Sequence, residues 1–162
     1  MGQNQYKQVF TPVENYPQIA EVRKEPDQKY NVGGGWHTDH SYDQIPALGS
    51  LLYAKEVPSH GGDTLFAGCG VAFDNLSEGM KDTLRSLRAI HSSRHVFGKS
   101  AVIPDDMVDL FGNADKALQD AEHPVIIKHP LSGRETLYVN QGFTTRFVGW
   151  TEKESNFLLP FL

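Results

Sequence analysis

Residues 125–139 read Val125-Ile126-Ile127-Lys128-His129-Pro130-Leu131-Ser132-Gly133-Arg134-Glu135-Thr136-Leu137-Tyr138-Val139. Two β-prone runs flank the turn formers Pro130 to Gly133, so the stretch predicts strand, tight turn, strand. An earlier hairpin is expected between 47–57 (Ala-Leu-Gly-Ser-Leu-Leu-Tyr-Ala-Lys-Glu-Val) and 64–67 (Thr-Leu-Phe-Ala), joined by the turn cluster Pro58 to Asp63. Helical spacing is clearest after Ser77, a candidate N-cap, where Met80, Leu84 and Leu87 recur at intervals of four and three. Thr151-Glu152-Lys153-Glu154 has capping-box form ahead of Phe157, Leu158, Phe161 and Leu162. Gly33-Gly34-Gly35 reads as a turn or a close backbone approach. Short strands, turn clusters and one or two helices suggest a mainly β domain with helices, of sandwich or jelly-roll type.

Composition narrows the function classes. The 162 residues fit a single domain spanning 1–162, with no repeat and no linker-like block. Lys plus Arg is 15 and Asp plus Glu is 20, and the resulting charge of −5 argues against a nucleic-acid partner. No apolar run approaches the roughly 20 residues of a membrane helix. Met1 to Lys7 lacks a signal-peptide core, and Tyr6 stands where a myristoylation signal wants Ser or Thr. Together with the lone Cys69, these features lead us to expect a cytoplasmic protein.

The chemistry concentrates at Trp36-His37-Thr38-Asp39-His40. On an extended backbone His37 and Asp39 point the same way and His40 the other. One imidazole and one carboxylate then converge, which is two thirds of the 2-His-1-carboxylate facial triad that holds Fe(II) with open coordination positions. A His-x-Asp pair is by itself a weak signal, since hydrogen-bonding and surface roles are commoner. His40, His60, His91, His95, His123 and His129 are the later histidines. His91 and His95 have helical i,i+4 spacing, but Ser92-Ser93 and Val96-Phe97 suggest that the helix has ended, favouring polar or core roles. His123 and His129 each precede Pro and belong at strand ends. Arg85, Arg88 and Arg94 read as a solvated face rather than an anion site.

Further motifs raise the metal reading. Gly34-Gly35-Trp36-His37-Thr38-Asp39, Pro46-Ala47-Leu48-Gly49, Gly61-Gly62-Asp63-Thr64-Leu65-Phe66, Leu87-Arg88-Ala89-Ile90-His91, His123-Pro124-Val125, His129 to Gly133 and Val139 to Arg146 together resemble the taurine dioxygenase family, over about residues 30–160. The resemblance implies a double-stranded β-helix (jelly roll) and an Fe(II) enzyme that uses 2-oxoglutarate and O2 to hydroxylate a small organic acid, releasing succinate and CO2. It also implies His37 and Asp39 as iron ligands, Thr64 as a 2-oxoglutarate contact, and Phe143, Val96 and Phe97 at the substrate pocket. Gly33 and Val96 stand where the taurine enzyme has polar substrate contacts, so taurine itself is not the expected substrate. The family's second iron-binding His and its 2-oxoglutarate Arg fall beyond the position matching Leu162. A jelly roll incomplete at both ends is therefore expected. The alternatives are a non-catalytic jelly-roll binding or assembly module, and a cupin-like Zn or Mn site completed by another histidine. An apolar end at Phe157 to Leu162 would need a cover, for which a homo-oligomer is one source.

Overall fold

The computed structural model describes residues 12–98, 101 and 118–162. Its centre is a three-stranded antiparallel sheet of β4 (Asp120–Pro124), β3 (Arg88–Ser92) and β7 (Thr144–Phe147), in that order. Alternation sorts its two faces. Ala89 and His91 of β3, with Ala121 and His123 of β4, are buried. Arg88 and Glu122 occupy the other face and form an ion pair at 2.5 Å. A register shift between Ile90 and His91 lets β7 bend where it meets β3.

The hairpin over 125–139 forms as β5 (Ile126–Lys128) and β6 (Glu135–Leu137), paired Ile126 to Leu137, Ile127 to Thr136 and Lys128 to Glu135. Gly133 adopts φ +69°, a left-handed conformation that glycine accepts without a Cβ penalty. His129 Nδ1 accepts hydrogen bonds from the amides of Leu131 and Ser132, so this histidine organises the turn. A third pairing joins β1 (Pro12–Val13) and β2 (Tyr16–Ala20).

Helices pack against these strands. Helix α1 (Cys69–Asp74) precedes α2 (Glu78–Arg85), whose Ser77 cap accepts from Met80 N as the sequence predicts. Arg94–Phe97 forms the single turn α3. At Thr151 the expected capping box is present, and α4 (Glu152–Leu158) continues into a 3₁₀ turn, Leu159–Phe161. The core comprises Phe73, Leu84, Ala89, Val125, Leu137 and Phe147, with Leu158, Leu159 and Leu162 packed against it. The apolar end is thus split: Leu158 and Leu162 face inward, whereas Phe157 and Phe161 are exposed.

The hairpin expected over 47–67 does not form. No strand occurs in that stretch, and Leu48, Leu51 and Phe66 are at least 90% exposed. The turn residues behave as expected, Gly61 and Gly62 both at φ +77°. What the segment lacks is a ladder, because none of the described strands pairs with it; β-prone side chains become a strand only where a neighbour takes up their backbone groups. Among the described residues no helix is long and apolar enough to cross a membrane.

Candidate metal centre

Residues 36–38 belong to no helix or strand and lead into a turn at 39–42, which begins at Asp39 itself. His37 Nε2 lies 3.2 Å from Asp39 Oδ1. The other ring nitrogen, Nδ1, is 2.8 Å from the Gly35 carbonyl and must donate to it, which leaves Nε2 for the carboxylate side. Ser50 Oγ donates to Asp39 Oδ2 at 2.9 Å, so the two carboxylate oxygens have different tasks. Two donors each held about 2.1 Å from a divalent ion at a right angle are about 3 Å apart. The observed spacing of the pair and the carbonyl-oriented imidazole therefore suit a shared cation. Among the described residues no group of three or more His, Cys, Asp or Glu side chains could hold a metal.

Close packing sets the place of His37. Gly33, at φ +71°, comes so near that a β-carbon there would stand 3.3 Å from His37 Cε1. Gly142 comes nearer, a β-carbon there falling 2.8 Å from His37 Cβ, and its N–H donates to the Trp36 carbonyl. Phe143, buried, meets the His37 ring edge-on at 6.0 Å and packs against Tyr42 and Phe97. Burial, with Asp43 and Asp39 nearby, pushes the Tyr42 phenol far above its usual range, so it stays neutral.

Of the residues singled out from sequence, His37, Asp39, Phe143 and Phe97 thus come together in one region. Val96 is half-buried beside Phe97 on α3. Thr64 lies in the exposed stretch 47–68. Gly142, Ser50 and Gly33 are close partners of the pair that sequence spacing does not assign.

The remaining histidines have other occupations. His40, at φ +57°, pairs through Nδ1 with Asp43 at 3.0 Å. His60 lies 3.0 Å from Ser59 Oγ, and His95 Nε2 donates to the Gly142 carbonyl. His91 sits on a strand and His95 on α3, so the i,i+4 spacing does not make a helical pair. His123 Nε2 donates to the Asp43 carbonyl at 3.0 Å. Fully buried His91 faces His123 and Tyr138, with ring centroids 5.4 and 5.5 Å away. Its Nδ1 is 3.3 Å from Thr144 Oγ1, while no hydrogen bond closes on Nε2. Burial first, and His123 second, pull its pKa down to about 4, against a small opposing pull from the Tyr138 backbone. The arginine cluster is neutralised as a solvated face should be. Arg85 pairs with Asp82 and Glu135, Arg88 with Glu122 and Arg94 with Asp120.

The sequence matches the taurine catabolism dioxygenase TauD, TfdA family over residues 1–162. The chain belongs to this family. An alpha-ketoglutarate-dependent sulfonate dioxygenase of Saccharomyces cerevisiae is 34% identical over 157 residues, covering 92% of this chain and 36% of the yeast protein. Among solved structures, a taurine dioxygenase from Burkholderia xenovorans superposes with a TM-score of 0.70 at 26% identity, over 92% of this chain and 46% of that one. The structure of AAD-2 in complex with Mn(II) and N-oxalylglycine gives a TM-score of 0.62 at 28% identity, over 77% and 44% of the two chains. The chain thus spans less than half the length of each of these TauD/TfdA-type relatives.

Proposed function

We propose that the chain carries part of the active site of an Fe(II)- and 2-oxoglutarate-dependent dioxygenase, with His37 Nε2 and Asp39 Oδ1 as two of its iron ligands. The observation that carries this reading is the 3.2 Å approach of those atoms, with His37 Nδ1 already committed to the Gly35 carbonyl. When bound, Fe(II) would supply the oxidative chemistry, hydroxylating a small organic acid with O2 while 2-oxoglutarate is converted to succinate and CO2.

The chain's own residues then have distinct tasks. Gly35 fixes the His37 tautomer, and Ser50 holds Asp39 through Oδ2 so that Oδ1 faces the ion. Phe143, with Phe97 and Val96 as further pocket residues, keeps water from one side of the imidazole. Thr64 offers a neutral hydroxyl to the 2-oxoglutarate carboxylate once the 47–68 stretch is packed. The distal histidine and the 2-oxoglutarate arginine belong, on this reading, to sequence outside these 162 residues, as does the rest of a full jelly roll around this single domain. The Saccharomyces cerevisiae relative is a sulfonate dioxygenase. Gly33 and Val96 give the present pocket fewer polar groups, favouring a less polar organic acid. We place the enzyme in the cytoplasm, in keeping with its acidic charge and single cysteine.

The test uses a protein containing the whole catalytic domain. Fe(II)-dependent succinate release is expected, and His37→Ala or Asp39→Ala is expected to lower it at least a hundredfold. Succinate release that survives either substitution would overturn the ligand assignment. Anaerobic addition of Fe(II) and 2-oxoglutarate should also develop a visible charge-transfer band, lost in both variants.

A further inference from the structure

We infer that Asn140 is a positioning residue for the His37–Asp39 pair, holding the loop that bears the pair and the aromatic wall beside it with one side-chain amide. The inference takes its meaning from the reading of His37 and Asp39 as metal ligands, although its test needs no metal. Residues 36–43 form no ladder of their own, so their position depends on what they touch. At the outer end the ties are His123 to the Asp43 carbonyl and Gln44 to the Asp120 carbonyl, each 3.0 Å. Nearer the pair they come from the turn at 140–143.

Asn140 is the hub of that turn. Its backbone is locked in both directions by one neighbour: its N–H donates to Thr144 Oγ1 at 2.9 Å, and its carbonyl accepts from Thr144 N at 3.1 Å. The Phe143 amide donates to Asn140 Oδ1 at 2.9 Å, and a donor there requires oxygen, which fixes the amide's orientation. Nδ2 is therefore left to donate, and it reaches Ser41 Oγ at 3.1 Å. Ser41 is fully buried and lies two residues after Asp39. One end of the amide thus sets Phe143, which meets the His37 ring, and the other sets the floor of the loop.

Loss of the amide leaves Ser41 Oγ and the Phe143 N–H without these partners, a local defect beside the pair. The apolar core around Leu84, Val125 and Phe147 does not include Asn140. An effect on the pair is accordingly separable from unfolding.

The experiment is proton NMR on the 162-residue chain, reading cross-relaxation between the His37 and Phe143 rings, with contacts among His91, His123 and Tyr138 as the internal control for folding. In Asn140→Ala we expect the His37–Phe143 signals to vanish while the control contacts persist. Asn140→Asp keeps an acceptor for Phe143 N and accepts from the Ser41 hydroxyl, which is free to turn, so it should restore them. Retention of the His37–Phe143 signals in Asn140→Ala overturns the inference. Should Asn140→Ala lose the control contacts as well, Ser41→Ala decides, since it removes only the loop-side partner. A shifted His37 ring supports the positioning role there, and unchanged His37 resonances refute it. A native His37 geometry that depends on Asn140 in a whole domain unable to bind Fe(II) would sink the iron reading and leave this inference standing.

Discussion

A β-carbon on Gly142 would lie 2.8 Å from His37 Cβ, a separation at which something must move. The nearest obstacle is the Cβ of His37 rather than the tip of a flexible chain, so Gly142→Ala should displace His37. We expect it to cost about 1–3 kcal/mol by overpacking. In the whole domain it should also weaken Fe(II) binding at least tenfold, measured by titration calorimetry. The His-x-Asp pair could be read from sequence because its two members are near neighbours in the chain. Gly142 and Asn140 could be seen only as members of a motif, since their tasks depend on side chains in a distant part of the sequence. His91, which the sequence reads as a core or polar residue rather than one of a helical pair, is fully buried. Its pKa of about 4 lies below the ordinary 6.5, so between those values the unfolded chain binds the extra proton and the native chain resists it. Its contribution is complete above about pH 6.5 and is lost as pH falls toward 4, a change of about 3 kcal/mol. Urea unfolding at pH 7 and pH 4.5 should show this loss, and His91→Gln should reduce it.

At the scale of elements, those with a local signature were legible. Ser77 receives the Met80 amide, and Thr151 and Glu154 close their box, because a cap is specified by near neighbours in the chain. Ser77→Ala should lower stability by about 1 kcal/mol, visible as a reduced melting temperature. The β5–β6 hairpin was legible for the same reason, its turn and both strands lying in one continuous stretch. The β4-β3-β7 order was not, because it pairs segments far apart in the chain, and their alternation is compatible with several neighbours. The stretch 47–57 shows the converse failure. Its side chains favour a strand, but propensity does not provide a partner, and among the described strands none pairs with it.

At the scale of the whole molecule, that unpaired stretch leaves an unusual surface. Ile45, Leu48, Leu51, Leu52, Tyr53, Leu65 and Phe66 are all exposed, together with Phe157 and Phe161 near the other end of the chain. Apolar surface of this extent seeks cover. The 162-residue chain should therefore bind a hydrophobic dye in its native state and associate as concentration rises, which sedimentation velocity would record as a growing sedimentation coefficient. A monomer at every concentration, without dye binding, would contradict this.

The hydrogen bond from Asn140 to Ser41 spans 99 positions. During synthesis, then, His37 and Asp39 leave the ribosome long before the turn that holds them exists. Closing so large a loop is entropically slow, and its contacts give nothing back until it is closed. The pair should consequently be assembled after the capped helix α2 and the β5–β6 hairpin, both of which precede Asn140 and form from nearby sequence. A nascent chain that has not yet reached Asn140 would present an imidazole and a carboxylate on a loose strand, with no fixed geometry to select one metal over another. Order at the pair should thus arrive only with the turn at 140–143, just before β7 completes the central sheet.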